Sequence, residues 1–127
     1  MRLTTYSKAQ LANALLNNDV GDLPIASVFI KLHLGDPGAA ATSNPAAETD
    51  RIAASFGANS SGVTSNDAAI TWPAVLDTET VTHWSAWSAS SGGNALLTGT
   101  LNGGTGYPLN AGNDFVIGIG ELDVTFA

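Results

Sequence analysis

From Val28 to Leu34 the chain alternates: Val28, Ile30, Leu32 and Leu34 fall on one side, Phe29, Lys31 and His33 on the other. A period of two marks a half-buried strand. Before it, the pattern is helical. Ser7-Lys-Ala-Gln10 fits a capping box, and Leu11 and Leu15 repeat at i, i+4 with Ala14 beside them. Asn17-Asn18-Asp19 and Gly21 stop this helix. It is short enough to need a docking surface, and Leu3 and Tyr6 are placed to pack onto its first turns. Pro24 opens the strand unit, and Gly35-Asp36-Pro37-Gly38 closes it with type II turn chemistry, proline fixing φ and glycine supplying φ > 0.

Ala39 to Asp50 shows neither period and reads as a long surface loop, a kind of segment that is usually functional or mobile. Arg51 to Phe56 reads as a short strand and Gly57 to Asp67 as a polar connection. Ala69 to Trp72 is a strand ended by Pro73, and Val75 to Glu79 a connection. Thr80 to Ala89 is a long strand, Ser90 to Asn94 a turn, Ala95 to Leu101 the return strand. After a flexible Gly103–Gly106 link and a turn at Asn110–Asn113, Phe115–Ile119 and Leu122–Phe126 form a last pair around Gly120-Glu121, as a tight hairpin or bulge. Many short strands after one helix predict a mainly β chain: an antiparallel β-sandwich or barrel-like domain with one short N-terminal helix. At 127 residues the chain is a single domain, 1–127, with an arm and helix over 1–22 and a β domain over 23–127 that carries the loop 35–50.

Candidate chemistry adds little. Trp84 and Trp87 are three apart in a strand and so point to opposite faces. The expectation is one aromatic anchor in the core, with Trp72, and one near a contact surface; they cannot share a sugar-stacking groove, and the acids nearest to them are Asp77 and Glu79. His33 and His83 are the only histidines, and no His-x-His or His-x-x-x-His spacing brings metal ligands together. Gly57-Ala-Asn-Ser-Ser-Gly62 lacks the strand and helix that would present a nucleophile. Gly103–Gly106 and Gly118–Gly120 lack the rest of a dinucleotide loop. Asn110–Asp114 lacks the alternating ligands of a calcium loop, and Asp114, Glu121 and Asp123 read as turn and edge residues rather than paired catalytic acids. No enzyme, cofactor or metal is expected.

Charge then excludes partners. Four Lys+Arg against eleven Asp+Glu give a net of −7. Arg2, Lys8, Lys31 and Arg51 are too few and scattered to displace phosphate counterions, so direct nucleic-acid binding is not expected. Charged residues make up only 12% of the chain, about half the usual share. Small uncharged residues therefore fill much of the surface, which suits a protein lying against others. No cysteine is present for disulfides or thiolate ligands. No apolar run nears the roughly 20 residues of a membrane helix. Met-Arg-Leu-Thr-Thr-Tyr carries no apolar signal core, so synthesis in a cytoplasm is expected.

Several stretches, taken in order, carry a resemblance. They are Leu32-His-Leu-Gly-Asp-Pro-Gly38 after a helix, an Asn44-containing loop leading to an Arg51 strand, Ala69-Ile-Thr-Trp-Pro73, Val81-Thr-His-Trp84, Ser91-Gly-Gly-Asn-Ala-Leu-Leu97, Asn110–Asp114 and Leu122-Asp-Val-Thr-Phe126. Nearly the whole chain resembles small tailed-bacteriophage virion proteins known as head decoration, minor capsid or tail-fibre proteins. The resemblance implies a structural role: a capsid decoration protein on the outer surface of the virion, bound to the major capsid protein and to copies of itself as a trimer. The alternative is a tail-fibre, tail-tip or head-fibre protein contacting a host receptor, carbohydrate included. Assembly contacts are expected on the arm (Met1, Arg2, Leu3, Tyr6) and the loop (Asp36, Pro37, Asn44, Pro45).

Overall fold

The computed structural model of the chain describes residues 1–125. Its elements are β1 (Arg2–Leu3), α1 (Thr5–Leu16), β2 (Val28–His33), β3 (Ile52–Ala54), β4 (Val63–Ser65), β5 (Ile70–Trp72), β6 (Glu79–Val81), β7 (His83–Trp87), β8 (Ala95–Thr100), β9 (Tyr107–Leu109), β10 (Phe115–Ile117) and β11 (Asp123–Thr125). The mainly β, antiparallel class with one short helix is what the periodicities predict. One five-stranded sheet has the order β1-β8-β7-β2-β3. Facing it are three two-stranded ladders, β5–β10, β4–β11 and β6–β9, so the second layer is divided. The core between them joins Ile30, Leu32, Trp84 and Ala86 of the large sheet to Ile70, Trp72, Val81, Leu109, Ile117 and Val124 of the ladders.

Close packing over Trp84 requires a missing side chain. Gly99 lies opposite Trp84 in the β7–β8 register. A Cβ there would sit 2.6 Å from the Trp84 Cε2 and Cζ2 atoms, inside any allowed contact. The indole thus lies flat over β8 because that position is glycine.

Several expectations are corrected. The helix is capped one turn earlier: Thr4, not Ser7, is the N-cap, and Thr4 Oγ1 accepts from the Ser7 N–H at 3.2 Å. The Thr4 hydroxyl hydrogen faces the Ala95 and Leu96 carbonyls at 2.6 and 3.0 Å, so the cap also ties the helix to β8. Gln10 instead accepts from the Asp22 N–H. Leu15 does not share the docked face with Leu11; it is 80% exposed. The strand drawn from Thr80 to Ala89 is two strands. It bends at Thr82, leaving the ladder with β9 for the large sheet. The Pro37-Gly38 step does place Gly38 at φ +79°, but the Asp36 carboxylate accepts from the Gly38 N–H while the Asp36 carbonyl accepts from Asn44 Nδ2. β4 lies in a segment read as a connection, and β9 lies between the Gly103–Gly106 link and the Asn110–Asn113 turn, where no element was assigned.

The largest correction concerns the end of the chain. β10 and β11 do not pair as a hairpin: β10 pairs with β5, and β11 with β4. Asn66 explains the exchange. It is buried, its Nδ2 donates to the Ala68 and Gly118 carbonyls at 2.9 Å, and its Oδ1 accepts from the Leu122 N–H at 2.9 Å. Its backbone N–H and carbonyl bond Leu122 O and Gly120 N. The β4–β5 link thereby occupies the groups that a β10–β11 hairpin would have used. Phe126, the last residue of the predicted strand, lies outside the described residues.

Two substitutions test this packing by denaturant unfolding. Gly99→Ala overpacks Trp84 and is expected to cost about 1–3 kcal/mol. Asn66→Ala strands the buried Leu122 N–H and removes the donor to two partly buried carbonyls, and is expected to cost about 2–4 kcal/mol.

Candidate assembly surface

The loop 35–50 covers the face of the large sheet opposite the core. Antiparallel register puts Phe29 beside Trp87, Lys31 beside Ser85 and His33 beside His83 on that face. The loop is pinned by hydrogen bonds to distant parts of the chain. Leu34 N–H donates to Asn44 O, Ala46 N–H to Leu32 O, Ala47 N–H to Glu79 Oε1, and Trp72 Nε1 to Asp50 O. Ala41 is fully buried and forms a second small core with Trp87 and Ala95.

Beneath the loop runs a buried polar relay. Trp87 Nε1 lies 2.8 Å from Ser85 Oγ, which lies 2.7 Å from His33 Nε2; His33 Nδ1 lies 2.9 Å from Ser43 O. An indole N–H can only donate, so Ser85 Oγ accepts from Trp87 and gives its own hydrogen to His33 Nε2. His33 Nδ1 then carries the proton and donates to the Ser43 carbonyl. This serine–histidine pair looks like the start of a hydrolase triad, but both side chains are fully buried. Its hydroxyl is already engaged at both ends, and no substrate path reaches it.

The tryptophans differ from expectation. Trp84 and Trp87 do point to opposite faces, but neither reaches the surface: Trp84 is 1% exposed and Trp87 8%. Arg51 lies over the Trp87 ring, 3.8 Å from its centroid, and donates to the Ala89 and Gly92 carbonyls. The cation and the loop together cover the ring that faces away from the main core, so neither tryptophan takes the expected place near a contact surface. Trp72 is fully buried, with Phe115 at 5.7 Å.

The expected contact residues fall into two groups. Arg2 pairs with Asp36 at 2.6 Å. With Met1, His83 and the end of β8 they line a shallow cavity of about 190 Å³. The Gly38 N–H first, and Arg2 second, hold the Asp36 carboxyl below its ordinary value. Asn44 and Pro45 are exposed on the same loop, whereas Pro37 is buried. Leu3 and Tyr6 belong to a different place, an apolar cavity of about 240 Å³ between α1, Leu23–Val28 and β8. The Tyr6 hydroxyl donates to Asp22 Oδ2 at 2.7 Å, which raises the Tyr6 pKa. Sequence reasoning missed the outer face of α1. There Leu15 and Leu16 are 80% and 87% exposed, and Val20 beyond the helix is 58% exposed. The signal was present: apolar residues all round a helix imply burial on more than one side.

Among the described residues no cluster of His, Asp and Glu could hold a metal ion, and no helix is long and apolar enough to cross a membrane. A sequence model of the family described as Podophage GP4 fiber I protein gp80 matches residues 2–125, nearly the whole chain. No curated protein matches it.

The relay sets a pH dependence. Burial, foremost, with Lys31 and His83 adding to it against the opposing Ser43 and Asn44 carbonyls, lowers the His33 pKa. The folded protein therefore keeps His33 neutral where the unfolded chain already takes up a proton. The stability this contributes is complete above the ordinary value of about 6.5 and is lost as pH falls below it, at up to about 1.4 kcal/mol per pH unit. Urea unfolding between pH 8 and pH 5 is expected to show this slope. His33→Gln should be less stable at pH 8 and show a shallower decline.

Proposed function

The chain belongs to the podophage fibre family of gp80, and from that premise we propose that it is an assembly module of the fibre, holding to other virion proteins rather than to host glycans. The observation that carries this reading is the distribution of apolar side chains. All three tryptophans are buried, so no aromatic platform faces a sugar. Large apolar residues are instead exposed on α1 and on the turns, with Leu76 at 69% and Ile119 at 70%. Exposed apolar groups of this size favour contact with protein. The Arg2–Asp36 pair and the Asn44 bond to the Asp36 carbonyl join arm and loop into one polar corner, a second candidate for docking.

A capsid decoration role has one specific observation in its favour, the acidic surface of low charge density. It suits the outside of a DNA-filled shell, where the interior would repel it. Binding of purified protein to expanded heads would support that role.

Labelled antibody on intact virions is expected to decorate fibres; label spread over the capsid lattice would turn the reading toward the shell. Limited proteolysis adds a second check. The loop 35–50 should be cut more slowly in the virion than in the free protein, and equal rates would remove it from the interface. A glycan array is expected to show no binding, and sugar binding lost on replacing an exposed loop residue would favour the receptor role.

A further inference from the structure

Eleven acidic residues against four Lys and Arg give every cation a choice of carboxylates. Among the described residues, however, the only ion pair is Arg2–Asp36. Two of the other cations lie together instead. The β2–β3 ladder pairs Val28 with Ala54, Phe29 with Ala53 and Ile30 with Ile52. One step further, the same register sets Lys31 opposite Arg51. Both are then on the outer face of the large sheet, where Arg51 lies over Trp87. Like charges in directly opposed positions destabilise a strand pair.

Arg51 cannot swing away. Its guanidinium rests on the Trp87 ring, 3.8 Å from the centroid, and its Nη1 donates to the Ala89 and Gly92 carbonyls at 3.0 and 2.7 Å. That leaves the edge made by Nε and Nη2, an edge that grips a carboxylate with two parallel bonds. Lys31 is half-buried. Burial first, and Arg51 second, hold its ammonium below the ordinary lysine value, and no carboxylate acts against them. Among the described residues every buried side-chain nitrogen has a partner, and Lys31 Nζ has none within the chain, so it opens to solvent.

We propose that Lys31 and Arg51 form a site for a single carboxylate, and that its occupant is an Asp or Glu side chain of a neighbouring protein. The carboxylate accepts from Arg51 Nε and Nη2 and from Lys31 Nζ, and it replaces a contact between like charges with two charge-assisted ones. A nucleic-acid backbone is a poor occupant, since only two cations would meet it within a chain of net charge −7. The contact is partly exposed and therefore salt-sensitive. The identity of the partner rests on the assembly reading, whereas the site itself does not.

Purified full-length protein tests the site. Titration with sodium glutarate, a mimic of the glutamate side chain, is followed by nitrogen-15 NMR at constant ionic strength. The Arg51 Nε–H and Trp87 Nε1–H signals are expected to shift and saturate, while those of the core indoles of Trp72 and Trp84 stay in place. Lys31→Gln should weaken the response at least about tenfold. Lys31→Glu sets the chain's own carboxylate opposite Arg51; it should abolish the response and unfold at higher urea than Lys31→Gln. A lysine that only packs its stem would leave the two variants alike. Inorganic phosphate saturating the site more tightly than glutarate would overturn the carboxylate assignment. An unsaturable shift, or an equal response from Lys31→Gln, would overturn the site. In intact virions a water-soluble carbodiimide should join Lys31 to an Asp or Glu of another chain, read by mass spectrometry. Virions that contain the chain but yield no such link would overturn the partner. Virions without the chain would instead count against the assembly reading and leave the glutarate result standing.

Discussion

The structure depends on a sheet that must be covered on both sides. Along β7, Trp84 and Ala86 face the core and Ser85 and Trp87 face away, and all four are buried. A strand buried on both faces cannot leave polar groups without partners, because each would cost a hydrogen bond to water. The chain meets this by closing the outer face with an irregular loop whose backbone carbonyl, at Ser43, completes the path from Trp87 through Ser85 to His33. Among the described residues no buried side-chain polar atom lacks a partner. Loop 35–50 is thus a third layer of the domain, without regular structure of its own.

How much of this was legible depended on whether the signal was local. The alternation at Val28–Leu34 and the Trp84/Trp87 offset are local; the first gives the strand as far as His33, with Leu34 exposed beyond it, and the second gives the opposed rings. The segment Ala39–Asp50 is the irregular, largely exposed loop its sequence indicates, but the bonds that pin it were not legible because they come from partners far along the chain, among them Glu79 for Ala47 and Trp72 for Asp50. Burial of Trp87 could not be foreseen for the same reason: Ala41 and Arg51 cover it, and neither announces itself by spacing. The helix cap was misplaced by one turn because Thr4 and Ser7 both satisfy the capping rule. What selects Thr4 is its second contact, to β8. The outer face of α1 was legible in principle, since Leu15 and Leu16 cannot both turn inward.

The division of labour between inside and surface also follows from composition. With so few charges, the chain has little to spend on solvation. Two of its four cations are engaged within the chain, Arg51 over Trp87 and Arg2 on Asp36 at the surface. The remaining surface is small, neutral and in places apolar. A domain with that surface suits contact with other proteins, in keeping with membership of a phage fibre family.

Asn66 carries a consequence for how the protein is made. Its side chain bonds Gly118 and Leu122, 52 and 56 residues further on, and β4 and β5 pair only with the last two strands. During synthesis the middle of the chain leaves the ribosome long before those strands exist. The edges of β4 and β5 that take β11 and β10 stay open until those strands have been made, and pairings this distant close slowly. A nascent chain in that state is exposed to wrong partners. The polar Gly57–Asn66 segment around β4, rich in Ser, Asn and Gly, suits an edge that must wait in water for β11.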